Sequence, residues 1–396
     1  MFTILPIKGY LDQIDGFFCD GIHAGLKPNG NNDLGFIYSD TLCEVEAVFT
    51  LNKFQAAPLR HYQKTFENRS AEKTNFVLIN SKNANALTGQ RGIDDIDEIF
   101  SKLNFDLINP IMSSTGVIGN PLPKEKIIAG ANSFNLSSKN AEALSRAIMT
   151  TDAYAKTAMY EVKLEDGSSF KIGSVAKGAG MINPNLATML CFICTDAAIP
   201  KEDMKELLEI NSKTTFNAIS VDGDTSTNDT VLLLANNKSN SYDKEAFKEA
   251  LRLVMHDMAM LMVADGEGAK KAVAFEVVGA ASDEEAEIAA KALSNSLLVK
   301  TALFGEDPNF GRIASTIGAS RVTCDEEKLL ISYNDVVVFD KGEIFFDKAQ
   351  EEKAGEVLKN DKYKVICDLG VGEGSFTAYG CDLGYKYIEI NADYRT

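Results

Sequence analysis

The chain has 396 residues, which is long for one simple core, so two domains or two large lobes are expected. Apolar residues make up 45% and charged residues 24%, the composition of an ordinary folded protein. With 57 acidic against 40 basic residues and a net charge of −17, neither nucleic acid nor an anionic membrane surface fits as the main partner, although a local basic pocket for a small carboxylate does.

From the N-terminus onward, Met1 to Phe18 lacks a basic region followed by a long apolar run, so no secretory signal is expected. No stretch approaches membrane-spanning length; the most apolar short runs are Met189 to Cys194 and Met258 to Ala264. A cytoplasmic protein with no membrane partner follows as the expectation. Phe76 to Asn80 is a short apolar run of buried-strand type. Val162 to Leu164 and Phe170 to Val175 flank the turn signal Glu165-Asp166-Gly167 and predict a hairpin. Lys177-Gly178-Ala179-Gly180 and Asn183-Pro184-Asn185 form a loop rich in turn formers, after which Thr188 to Cys194 reads as a compact apolar strand. On periodicity alone, Thr188 is a β-branched residue that begins a strand. Val231 to Ala235 and Ala274 to Val278 are further buried-strand candidates. Between them, Phe247, Leu251, Val254, Met258 and Leu261 recur at helical spacing over Asp243 to Ala264, with Gly266 just beyond. Asp283 to Leu298 predicts a second helix, capped by Ser282 with Glu285 three residues on. The alternation implies an α/β or α+β protein, with layered sheets and packed helices in two lobes.

Several motifs dissolve on inspection. Seven cysteines, at 19, 43, 191, 194, 324, 367 and 381, read as buried thiols and not as a disulfide framework. Cys191 and Cys194 have redox-pair spacing, but residues three apart in a strand point to opposite faces. His23, His61 and His256 have no metal-type neighbour at helical spacing, so no metal is expected. Asp222-Gly-Asp-Thr-Ser-Thr-Asn-Asp229 begins like a calcium loop, yet carries Thr227 at the sixth position and Leu233 at the twelfth. That loop is either a network of turns or part of a site. Gly370-Val-Gly-Glu-Gly374 lacks the third glycine of a dinucleotide loop and runs into a strand.

One set of blocks carries more. Lys177-Gly178-Ala179-Gly180-Met181 through Ala187-Thr188-Met189-Leu190 closely resembles the ornithine acetyltransferase family, the glutamate N-acetyltransferases of arginine biosynthesis. The likeness continues at Asn80 to Gly89, Ser114-Thr-Gly-Val-Ile-Gly119, Met149-Thr-Thr-Asp152, Asp222 to Thr230, Asp265-Gly-Glu-Gly268, Gly305 to Arg312 and Asn391-Ala-Asp-Tyr-Arg-Thr396. The blocks follow in order along nearly the whole chain.

The resemblance implies that family's fold and a precursor that cuts itself between Ala187 and Thr188, giving fragments 1–187 and 188–396. Thr188 would then be the nucleophile, with its own freed α-amine as base. Such an amine titrates near about pH 7.7–8.0, which suits a base at neutral pH. By the same resemblance Thr115 and Gly116 form the oxyanion hole, and Thr151, Lys177, Thr188, Glu267, Asn391 and Thr396 hold substrate. Lys177 suits a substrate carboxylate and Glu267 the ammonium of ornithine. The implied reaction moves an acetyl group from N²-acetylornithine to glutamate with no cofactor, acetyl-CoA being a further substrate if the enzyme is bifunctional. The fragments would remain together and pair into a heterotetramer. A related N-terminal-nucleophile amidase or aminopeptidase, passing the acyl group to water, is the alternative. Departures from the common family pattern are Lys82 for Gly, Asn183 for His, Leu186 for Met and Phe310 for Trp; none removes an implied catalytic group.

Overall fold

The structure is a computed structural model that describes residues 1–67, 72–183 and 189–393. Its strands in chain order are β1 (Phe2–Pro6), β2 (Phe17–Ile22), β3 (Leu34–Phe49), β4 (Lys73–Asn80), β5 (Ile111–Ser114), β6 (Lys156–Leu164), β7 (Ser169–Lys177) and β8 (Leu190–Thr195). They continue with β9 (Ile219–Ser220), β10 (Thr230–Ala235), β11 (Ala272–Ala280), β12 (Leu330–Tyr333), β13 (Val336–Asp340), β14 (Glu343–Ile344), β15 (Lys362–Asp368) and β16 (Gly374–Cys381). One sheet runs β1-β6-β7-β8-β10-β3-β4-β5, with β2 also paired to β3. A second runs β14-β13-β12-β15-β11-β16-β9. The expected mixed α/β architecture of helix-packed sheets is what the chain adopts.

At the centre of the first sheet, β8 and β10 lie parallel with Thr230 opposite Leu190. Every residue of both is buried, which is why each reads as an unbroken apolar run and not as an alternation. Cys191, Ile193, Val231 and Leu233 enter the core under the helices Lys201–Thr214 and Lys244–Ala264. Phe192, Cys194, Leu232 and Leu234 enter the core on the other face, with Phe17 and Leu144. Cys191 and Cys194 thus point in opposite directions, as their spacing requires.

The long helix Lys244–Ala264 forms where periodicity puts it: Phe247, Leu251, Val254 and Met258 are buried, and the Asp243 side chain accepts from the Ala246 amide at its start. The next predicted helix is two helices. Asp283–Asn295 ends before Ser296, whose extended backbone and side chain, accepting from the Val299 amide, cap a new helix, Leu297–Phe304. A serine in mid-run acted as a cap, an option periodicity does not register. One other expectation needs adjusting: six cysteines are buried but Cys324 is exposed. The segment after Gly370 leads directly into β16, as its sequence implied. No helix among the described residues is long and apolar enough to cross a membrane.

Candidate active site

The C-terminal end of β7 and the starts of β8 and β10 come side by side: Lys177 pairs with Leu190, and Leu190 with Thr230. A cavity of about 200 Å³ opens there. Thr115, Gly116, Thr151, Lys177, Glu267 and Asn391 all line it, although they are spread over nearly 280 positions of sequence. Met189, the residue covalently bonded to Thr188, lines it too. Ala187, Thr188, Leu186 and Thr396 lie outside the described residues.

One wall is the turn after β5. The Thr115 amide donates to the Asn80 carbonyl at 3.0 Å, and the Ser114 hydroxyl to Asn80 Oδ1 at 2.6 Å. Gly116 has φ +131, and a Cβ built on it would stand 2.3 Å from the carbonyl carbon of Lys82 and 2.6 Å from the Asn83 amide nitrogen. Only glycine fits that approach. Lys82 itself sits at φ +73, a left-handed conformation that glycine adopts with less strain than lysine. From across the cavity, Asn228 Nδ2 donates to the carbonyls of Ala84 (2.6 Å) and Ser114 (2.8 Å), and its Oδ1 accepts from the Thr227 hydroxyl. Lys177 Nζ donates to Thr115 Oγ1 at 3.4 Å.

A second side of the cavity is built on Asp222, which receives the amides of Met181 (2.6 Å) and Ile182 (2.9 Å). The Asn183 side chain adds a bond to the Gly223 carbonyl, and the Thr225 hydroxyl donates to the Asn183 carbonyl. The hydroxyl- and carboxylate-rich loop at 222–230 is therefore both alternatives at once: a turn network and cavity lining. Burial pushes the Asp222 carboxyl up from its ordinary value, against the amides of Met181, Asp224 and Ile182, which pull it down. Asp229 is raised well above its ordinary value by burial, with Ser226 and Lys177 opposing, and its Oδ2 has no hydrogen-bond partner.

The third side is the C-terminal helix, Tyr385–Asp393. Tyr387 and Asn391, four residues apart, share a face and turn inward. Tyr387 Oη reaches Asp222 Oδ2 at 3.3 Å, and Asn391 Nδ2 donates to Glu267 Oε2 at 2.7 Å. The Glu267 carboxylate in turn lies over Gly180, where any Cβ would come within 2.4–2.5 Å of it.

Sequence reasoning did not assign Asp222, Asn228, Asp229 or Tyr387. The density of polar residues at 222–230 was a usable signal for the first three. Tyr387 had only its spacing from Asn391.

A model of the ArgJ family matches residues 18–396. The chain belongs to the ArgJ family. It is 58% identical to the arginine biosynthesis bifunctional protein ArgJ of Wolinella succinogenes, over 100% of both chains. It is 41% identical to the protein of that name from Staphylococcus aureus, over 100% of this chain and 97% of the relative. A solved ArgJ structure from Bacillus halodurans aligns with 40% identity over 50% of this chain and 96% of its own, at a TM-score of 0.48. ArgJ membership upholds the resemblance to the ornithine acetyltransferases: the chain is an acyltransferase of arginine biosynthesis, and the hydrolase alternative is not favoured.

Proposed function

We propose that the chain is a self-processing cytoplasmic enzyme that carries an acetyl group from N²-acetylornithine to glutamate on Thr188. The observation that supports this most is the meeting of seven of the eight sequence blocks on one cavity that Met189, the neighbour of Thr188, also lines.

Cleavage starts when the Thr188 hydroxyl attacks the Ala187 carbonyl. The amide becomes an ester, and water hydrolyses it to leave a free α-amine on Thr188. In the transfer reaction the same hydroxyl attacks the acetyl carbonyl of acetylornithine, and the α-amine takes the hydroxyl proton and passes it to the departing amine of ornithine. Glutamate's amine then attacks the acetyl ester and regenerates the hydroxyl. Both reactions pass through an oxyanion, for which the Thr115 hydroxyl and the backbone at Gly116 are the donors. Lys177 meets the substrate carboxylate, and Glu267 with Asn391 meets the distal ammonium, while Thr151 and Thr396 complete the substrate contacts. No cofactor has a part in these steps.

The sheet order gives a reason for the fragments to stay together. β8 and β10 belong to fragment 188–396, yet they sit between β7 and β3 of fragment 1–187. Separating the two would break both ladders and expose a fully buried pair of strands. We propose that this two-fragment unit pairs into a heterotetramer, which light scattering on the purified protein would report. The relatives are named bifunctional, and we extend that to acetyl-CoA as a second acetyl donor; glutamate and acetyl-CoA without acetylornithine should then yield N-acetylglutamate.

Intact mass spectrometry tests the central claim. Wild type should give fragments 1–187 and 188–396, the second gaining one acetyl group after brief exposure to acetylornithine. The Thr188→Ala variant should stay whole and inactive; normal cleavage or turnover in it would sink the mechanism.

A further inference from the structure

Lys156 is the first residue of β6, and its side chain is 0% exposed, whereas Lys163 and Lys171 of the same hairpin reach solvent. Its ammonium group sits between two carboxylates, Asp152 Oδ1 at 2.7 Å and Asp265 Oδ2 at 2.5 Å. Neither carboxylate is otherwise idle. Asp152 Oδ1 also accepts from the Gly178 amide at 2.7 Å, and Oδ2 from the Thr150 amide at 2.9 Å. Asp265 accepts from the Ala153 amide and lies two residues before Glu267, whose own amide donates to the Ala179 carbonyl at 2.8 Å.

These contacts close a ring. It runs from Lys156 through Asp152 to Gly178, along the chain to Ala179, across to Glu267, back to Asp265 and so to Lys156. Lys177 is attached on one side of it and Glu267 on the other. Burial alone would raise Asp152, but Lys177 and Lys156 outweigh it and hold the carboxyl at about 2. Asp152 is therefore held as the carboxylate, while burial raises the Asp265 carboxyl against the pull of the Lys156 ammonium.

We infer that Lys156 is a positioning residue that fixes the separation between Lys177 and Glu267, and thereby sets the length of diamino acid the site accepts. The inference rests on the proposed roles of those two residues, a cation for the carboxylate and an anion for the distal ammonium. A site with charges at both ends measures the spacer between them, because a ligand of the wrong length leaves one buried charge unpaired. A rigid ring makes that measurement strict. β8, which begins two residues after Thr188, is held by its own ladder and takes no part in the ring.

The test compares N²-acetylornithine with N²-acetyllysine, one methylene longer, as acetyl donors to glutamate. Wild type should prefer acetylornithine strongly in kcat/KM. In Lys156→Met, KM for acetylornithine should rise about tenfold or more, kcat should fall much less, and the preference over acetyllysine should shrink by at least a comparable factor. Asp265→Asn, which keeps an oxygen to accept the Ala153 amide, should move KM and preference the same way by several-fold, and it stands in should the Met variant fail to fold. A ring that merely stabilises the fold would lower the melting temperature or the acetylatable fraction while KM and the donor preference stayed at wild-type values, and that result overturns the inference. A wild-type protein that stays uncut or ignores acetylornithine would instead overturn the function on which the inference rests.

Discussion

Two sides of the same cavity are built in opposite ways. Ser114 and Thr115 of the turn Ser114–Gly116 are buried and tied into the sheet by bonds donated to Asn80 and received from Asn228, with the half-buried glycine pressed against the backbone of Lys82 and Asn83. The C-terminal helix across from it has no buried residue; Tyr385 is 78% and Ile388 67% exposed, and Tyr387 and Asn391 supply the inward bonds to Asp222 and Glu267. The difference tracks the demands of the chemistry. Donors that stabilise a developing charge must be in place beforehand, since reorganisation would consume the benefit. Groups that only grip a substrate can sit on an element that is loosely held. Perturbing the first wall should therefore change rates, and perturbing the second should change affinity.

Gly116 offers the harshest way to break this contrast. Gly116→Val adds carbon where even a Cβ stands 2.3 Å from backbone, at a φ of +131 that valine avoids. Cleavage and transfer should both slow by about 10²–10³, with KM little changed. Full processing and full activity would make Gly116 only a turn residue. A milder step on the same wall is Asn228→Ala, which strips the donor from two carbonyls. Both rates should drop about tenfold, less than for loss of an oxyanion donor itself, and stability should fall by roughly 1–3 kcal/mol in urea titration. If only stability falls, the anchor serves the fold and not the turn.

The second wall should answer differently. Asn391→Ala and Tyr387→Phe each remove one hydrogen bond from a half-exposed helix. KM for acetylornithine should rise about two- to tenfold, the equivalent of roughly 0.5–1.5 kcal/mol, with kcat within about twofold of wild type. A change confined to kcat in either variant would erase the distinction between the walls.

The contrast also explains what the sequence did and did not disclose. β8, β10 and the helix Lys244–Ala264 were legible because burial on both faces, or on one stripe, writes a direct pattern of apolar residues. The order of strands was not, because it joins β10 to β3 and β11 to β15 across long separations that no local pattern encodes. In the site, Thr115, Gly116, Thr151, Lys177, Glu267 and Asn391 came from resemblance; composition and spacing alone would have left them as turn or surface residues. Lys156 gave no signal at all. A lysine opening a strand reads as solvated, and only its burial between Asp152 and Asp265 says otherwise.

Asp229 supplies a small predicted effect, on stability alone, and the sharpest limit on the rigid wall. It lines the cavity beside Asn228, only 2% exposed, with Oδ2 unpartnered. Burial raises its carboxyl well above the ordinary value, so the folded protein holds the proton more tightly than the unfolded chain does. A group raised in this way supports folding fully below its unfolded pKa of about 3.9, and that support is lost as pH rises through the folded value. Near neutral pH the residue is thus a burden on stability, one that asparagine, close in shape to the protonated acid, would lift. Asp229→Asn should be more stable than wild type at pH 7 by on the order of 1 kcal/mol, and the gain should vanish as pH approaches about 4. A loss of stability at pH 7 would show that the nearby Lys177 cation, which pulls the carboxyl down, outweighs burial and pairs with it. In that case the rigid wall contains no unsatisfied group, and its charge balance runs through the same lysine that the Lys156 ring holds in place.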